Sequence, residues 1–170
     1  SHGDPAPLFR ALTSLTCQEG LAGAQGPGAA RARPTVQVVH SGSRELPPRE
    51  QWPDLAPDLD QALDLRITSV CPTRLSAAQA RNLAVSLSAA ELLVFLDADC
   101  LAGPTFLAGH LEGHRRGATV VGGRVLPVAN DTRVGQAEYL VEFATTRLRR
   151  PGGADSAPAC NVSIRRQLLE

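Results

Sequence analysis

The sequence contains no lysine, because all 17 of its basic residues are arginine. A Walker-type phosphate loop, a Schiff base and a lysine general base each need a lysine side chain, so this chain supplies none of these mechanisms. Seventeen acidic residues balance the arginines and leave no net charge, which argues against a nucleic acid as the partner. Four cysteines stand far apart without a C-x-x-C pair, so we expect free thiols.

Long hydrophobic runs are also missing. No stretch of about 18 apolar residues is present, and no basic segment followed by a hydrophobic one opens the chain. We therefore expect no transmembrane segment and a cytoplasmic location, with the inner face of the membrane as an alternative. The length of 170 residues and the hydrophobic content of 43% suit one domain over residues 1–170. Within it, residues 20–34 are rich in glycine, alanine and proline and predict a flexible loop.

The hydrophobic pattern predicts strands alternating with helices. β-branched runs and periodic apolar positions favour an α/β protein with a mostly parallel sheet flanked by helices. Ser76 and Gln79 form a capping-box pattern that predicts the start of one helix. The predicted helices are 8–18, 59–63, 76–87, 104–116 and 133–149, and the predicted strands are 35–40, 65–71, 92–96 and 118–128. We expect residues 158–166 to form a short extended piece that enters a last helix.

The segment LLVFLDADC, residues 92–100, combines a predicted buried strand with two carboxylates at its end. Ligands of open parallel sheets bind beyond the carboxyl ends of the strands, where the chain turns toward a helix. Asp97 and Asp99 would lie at such an end. Their hard oxygen ligands suit Mg²⁺ or Mn²⁺, which also recruits phosphate oxygens. We therefore predict a divalent-cation site at Asp97 and Asp99.

The segment AQARNLAVSLSAAELLVFLDADC, residues 78–100, resembles the central signature of family-two glycosyltransferases with a GT-A fold. In that signature an A-R-N helix precedes a buried strand that ends in D-x-D. Other segments resemble the family in the same order: LFRALTSLTCQ, VQVVHSGS, VVGGRVLP and ACNVSIRR. The resemblance spans residues 8–168 and implies a GT-A-like, Rossmann-like fold.

The resemblance implies an inverting glycosyltransferase that moves a sugar from a UDP- or GDP-sugar to an acceptor hydroxyl of a glycan, a lipid or a small molecule. Asp97 would contact the donor ribose or the shell of the cation, and Asp99 would bind the cation. Arg81 and Asn82 of the A-R-N segment would support the nucleotide. His40 stands near the position where the family has an aspartate for the nucleotide base, so it becomes a further donor-binding candidate.

The chain departs from the family pattern at both ends. It begins with SHGDPAPLF and enters a helix where the family has a strand. We therefore expect either an incomplete sheet or direct pairing of strands 36–40 and 92–96. The family's acidic motif for the general base has no counterpart before Glu170, so the catalytic base stays unknown and is expected beyond Glu170. Arg165 and Arg166 match the family spacing after Asn161 and are candidates for a phosphate contact.

Three other interpretations are open. In the first interpretation, the chain is a truncated or degenerate glycosyltransferase domain that keeps the fold without transferring sugar. A dehalogenase-like phosphatase also carries D-x-D after a strand, but it uses a later lysine, which this chain lacks. A zinc hydrolase would use His110 and His114, which share a helix face, but HLEGH is not the H-E-x-x-H motif. We expect these two histidines to be exposed.

Overall fold

The structure, a computed structural model, describes residues 5–19, 33–52, 59–127, 132–147 and 156–169. The predicted flexible loop lies outside these residues except for its last two positions. The chain divides into two compact units. The first comprises Ser1–Ala90 and Ala98–Leu107, and the second comprises Glu91–Asp97 and Ala108–Glu170.

The first unit is built around a parallel strand pair. Strands β1 (Thr35–Ser41) and β2 (Asp64–Val70) pair in register from Thr35↔Asp64 to Ser41↔Val70. The β-branched residues of both segments favour this extended conformation. At the start of the pair, the Asp64 carboxylate accepts hydrogen bonds from Arg66 and Thr35, and the bond from Arg66 is the main cause that lowers the pKa of Asp64. The helices of this unit are α1 (Ala6–Thr16), α2 (Leu59–Ala62) and α3 (Ala77–Ser86).

The core of the first unit lies where α1 and α2 meet the strand pair. Leu12, Leu59 and Leu63 form its buried centre, and partly buried side chains from β1 and β2 pack against them. Phe9 of α1 stacks at a tilt against Trp52, with ring centroids 4.8 Å apart. The apolar spacing of α1 therefore buries one helix face, as its sequence predicts.

The predicted capping box of α3 is present. The Ser76 hydroxyl accepts a hydrogen bond from the backbone N–H of Gln79, and the Gln79 side chain accepts one from the backbone N–H of Ser76. The start of α3 is also tied to the end of β1, because Gly42 N–H donates to Thr73 O and Leu75 N–H donates to Ser41 Oγ. α3 therefore begins beside the carboxyl end of β1.

The second unit holds a three-stranded sheet with the order β3, β5, β4. Strand β5 (Asn161–Arg165) runs antiparallel to both β3 (Leu92–Leu96) and β4 (Val120–Gly122). Helix α4 (Phe106–Arg115) begins in the last residues of the first unit and continues into the second, and α5 (Arg133–Arg147) follows β4.

The α/β class predicted from the sequence is confirmed, with a parallel sheet and helices compatible with a GT-A-like fold. Residues 158–166, predicted as a short extended piece, contain the central strand β5 of the second unit, and a 3₁₀ turn (Arg166–Leu168) follows in place of the predicted helix. The neighbour of β3 is thus an antiparallel strand, whereas the sequence predicted a buried parallel one. Local pattern could not reveal this, because strand pairing joins segments about 70 residues apart.

The described parts of the chain contain no helix that is long and apolar enough to cross a membrane. All four cysteines are free thiols, as the sequence predicts.

Candidate functional site

The carboxylates of the D-x-D segment follow directly on β3. Asp97 is the first residue after the strand and is half-buried, and Ala98 and Asp99 form an exposed turn. The thiol of Cys100 lies 3.9 Å from Asp99 Oδ1. The division of the chain falls within this segment, with Asp97 in the second unit and Asp99 in the first. The sequence therefore placed both carboxylates correctly at a strand end.

In the second unit, Asn161 pairs with the end of the strand that precedes Asp97. It is the register partner of Leu96, the residue before Asp97. Its side-chain amide donates to Arg124 O at 3.0 Å, and its side-chain oxygen lies 2.9 Å from His110 Nε2. The end of β3 is thus fixed through the first residue of β5.

In the first unit, the end of α1 holds the loop that follows Asp99. The side chain of Gln18 is buried, donates to Gly103 O at 2.9 Å and accepts from the Leu107 N–H at 3.0 Å. The Ser14 hydroxyl accepts from the Ala102 N–H at 2.9 Å. Neither residue could be predicted from the sequence, because contacts across more than 80 positions leave no local signal.

The remaining donor-binding candidates lie in the first unit. His40 stands near the carboxyl end of β1, and its Nε2 donates to Arg44 O at 2.8 Å. Arg81 is half-buried and Asn82 is exposed on α3, which packs against β1. The structure therefore brings Arg81, Asn82 and His40 onto neighbouring elements of one unit.

The two arginines after Asn161 have different surroundings. The guanidinium of Arg165 donates to the backbone oxygen of His114 at 3.2 Å and so contacts the end of α4. The backbone N–H of Arg166 donates to Glu91 O, and its side chain is half-buried. The Arg165 contact is with the protein's own backbone.

His110 and His114 are buried, with 3% and 5% of their surfaces exposed, so the expectation that they are exposed is wrong. Their spacing of four residues was the available signal, since it places both rings on one face of α4. Each of their four ring nitrogens lies within 2.9 Å of a protein oxygen. Zinc binds through a ring nitrogen lone pair, so this arrangement does not favour the zinc-hydrolase interpretation.

The D-x-D carboxylates fit a divalent cation by their chemistry. Mg²⁺ is commonly bound through one or two carboxylates, with substrate phosphates and water completing its shell. Asp97 and Asp99 supply two such groups, and no cluster of three or more acidic, histidine or cysteine ligands occurs among the described residues. Such a pair suits a cation that arrives with a phosphorylated ligand.

The chain thus combines an α/β fold with two carboxylates that follow directly on a strand. The family model for glycosyl transferase family 2 matches residues 53–170. The chain belongs to this family. A search of curated proteins returns no match.

Proposed function

We propose that this chain is the donor-binding domain of an inverting, metal-dependent glycosyltransferase. Its donor would be a UDP- or GDP-sugar, and its acceptor a hydroxyl of a glycan, a lipid or a small molecule. The observation that carries the proposal is the carboxylate pair directly after β3, in a chain of glycosyl transferase family 2. The family commonly uses a divalent cation and a nucleotide-sugar donor.

Asp99 and Asp97 would hold the cation, with Asp97 also placed for the donor ribose. A bound Mg²⁺ or Mn²⁺ would neutralise the charge that develops on the leaving diphosphate. Asp99 is exposed, so it is accessible to an incoming ligand. The pairing of Asn161 with Leu96 and the contacts of Gln18 limit the movement of the backbone on either side of the pair.

The nucleotide end of the donor would contact Arg81, Asn82 and His40. Arginine and asparagine side chains bind phosphate, ribose and base edges through hydrogen bonds. The imidazole of His40 would have to exchange its bond to Arg44 O for one to the base, or stack on it. This makes His40 a candidate for base preference.

Isothermal titration of UDP, GDP and their sugar conjugates into the chain tests this proposal. We expect binding that needs Mn²⁺ and weakens at least about tenfold in Asp99→Asn, because about 1.4 kcal/mol of interaction corresponds to a factor of ten. Glu91→Gln is the matched control. It removes one carboxylate charge from an exposed residue at the opposite end of β3, and its binding should equal that of the unchanged chain.

Absence of metal-dependent binding by the unchanged chain, with circular dichroism showing a folded protein, would contradict the proposal. That result would favour the truncated or degenerate domain that keeps the fold without transferring sugar. Equal binding by Asp99→Asn would instead remove Asp99 from the site.

A further inference from the structure

A continuous chain of hydrogen bonds runs through the interior of the second unit. His110 Nε2 lies 2.9 Å from Asn161 Oδ1, and His110 Nδ1 lies 2.8 Å from Ser163 Oγ. The same hydroxyl lies 2.8 Å from His114 Nε2, and His114 Nδ1 lies 2.8 Å from Ala118 O. Ser163 is fully buried, so water does not replace any of these contacts at its hydroxyl.

Both ends of this chain of hydrogen bonds are acceptors. Ala118 O is a backbone carbonyl and accepts only. Asn161 Oδ1 is also an acceptor, because the other half of that amide donates to Arg124 O. The four contacts therefore need four hydrogens that come from the two rings and from Ser163.

The count of available hydrogens fixes the charge. Ser163 supplies one hydrogen, and two neutral imidazoles supply one each, which makes three for four contacts. One contact would then place a ring lone pair against an oxygen in a buried position, which is costly. Two charged rings would supply too many, since both would donate to Ser163 and leave its own hydrogen without a place in the chain. One neutral ring and one imidazolium satisfy all four contacts.

The surroundings indicate which ring carries the charge. Burial is the main cause that lowers the pKa of His110; the hydrogen bond to Asn161 raises it, and the neighbouring His114 lowers it. The net lowering favours His110 as the neutral ring. His110 then donates from Nε2 to Asn161 and accepts from Ser163, while His114 donates from both nitrogens. His114 lies in the last turn of α4, where the helix dipole favours a positive charge.

Few other charged groups lie around this chain of hydrogen bonds in the described structure. Glu112 and Arg115 lie on α4 and Arg116 follows it, and Glu112 forms exposed ion pairs with both arginines. On β5, the Arg165 guanidinium donates to the backbone oxygen of His114, and its positive charge disfavours any positive charge on a nearby ring, so the hydrogen-bond count has to outweigh it. Strands β3 and β4 contribute no titratable side chain. Near Asn161 the described titratable groups include the buried thiol of Cys160 and the carboxylate of Asp97, which follows Leu96, the register partner of Asn161.

We propose that His110, Ser163 and His114 form a buried proton-binding site that holds one proton more than two neutral imidazoles, with the charge on His114. This inference does not depend on the proposed function.

The site makes folding depend on pH in two directions. Above the ordinary imidazole pKa of about 6.5, the folded chain keeps a proton that the unfolded chain releases, so the folding equilibrium constant falls by up to about tenfold per pH unit. Below it, the lowered pKa of His110 means that the unfolded chain binds more protons than the folded one, so stability falls as the pH falls. Stability should therefore be greatest near the imidazole pKa.

Histidine ¹⁵N NMR of the full chain at a pH of about 8, roughly 1.5 units above the ordinary imidazole pKa, tests the proposal directly. We expect protons on both nitrogens of His114 and on Nε2 alone of His110. Two neutral rings in the folded chain at this pH would overturn the proposal.

Ser163→Ala supplies the decisive variant. Without the hydroxyl, His110 needs a proton only for Asn161 and His114 only for Ala118 O, so both rings should be neutral at that pH. An imidazolium that persists in folded Ser163→Ala would overturn the proposal. If this variant does not fold, His114→Asn serves instead. Its amide can donate to Ala118 O while Ser163 donates to His110, and urea unfolding should then show little loss of stability between pH values of about 6.5 and 8.

The control for urea unfolding is His40→Asn, because His40 lies in the other unit and outside the chain of hydrogen bonds. It should keep the full pH dependence of the unchanged protein. If the loss of stability with rising pH disappears in His40→Asn and persists in His114→Asn, the excess proton does not belong to His114. That result would overturn the proposal.

Discussion

At the scale of the residue, Gly123 shows how one missing side chain positions another. A Cβ at this position would collide with the side-chain amide of Asn161. The backbone N–H of Gly123 also donates to Asn161 O at 2.9 Å. The close approach lets the Asn161 side chain reach both Arg124 O and His110, so glycine is needed here for space.

We expect Gly123→Ala to destabilise the folded chain by about 1–3 kcal/mol, because moving the amide of Asn161 leaves buried hydrogen-bonding groups without partners. Urea unfolding measures this difference. The matched control is Gly109→Ala, since an added Cβ at Gly109 in α4 meets open space and alanine favours a helix by about 1 kcal/mol over glycine. Equal stability of Gly123→Ala and the unchanged chain would contradict the assigned role.

At the scale of the element, α1 does more than cover the parallel strand pair. Its carboxyl end holds the loop after Asp99 through Gln18 and Ser14, and Glu19 N–H donates to Pro104 O at 2.7 Å. The helix that opens the described chain therefore fixes the segment that leads into α4.

We expect Gln18→Ala to cost about 1–3 kcal/mol of folding free energy, because a buried amide that bonds Ser14 O, Gly103 O and Leu107 N–H is lost. The amide of Leu107 loses its acceptor and should exchange with solvent faster than in the unchanged chain, which hydrogen-exchange NMR can measure. Gln167→Ala is the control, since Gln167 is exposed and should leave both stability and Leu107 exchange unchanged. Unchanged Leu107 exchange in Gln18→Ala would argue against this contact.

At the scale of the whole molecule, the chain combines a family signature with two compact units. The first unit contains Asp99, Arg81, Asn82 and His40 of the proposed donor contacts. Because a ligand that binds only the folded state stabilises it, donor binding should be detectable in thermal unfolding.

We expect a UDP- or GDP-sugar with Mn²⁺ to raise the melting temperature. A ligand at a hundred times its dissociation constant adds about 2.7 kcal/mol, and each kcal/mol raises the melting temperature by about 2–4 °C for a chain of this size. Calorimetry with and without a chelator measures the shift, which should persist in Glu91→Gln. It should fall to about half or less in Asp99→Asn, because tenfold weaker binding leaves about 1.4 kcal/mol of stabilisation. A donor-induced shift of equal size without metal would contradict the metal dependence.

The sequence by itself determined the α/β class, the capping box at Ser76, the strand that ends before Asp97 and the membership in glycosyl transferase family 2. These features depend on local spacing and local propensity, which a linear pattern records. Only the tertiary structure decided that β5 lies between β3 and β4 and that His110 and His114 are buried around Ser163. The physical reason is that strand pairing and buried polar contacts join residues about 50 to 70 positions apart, and their hydrogen bonds depend on distances that no local pattern contains.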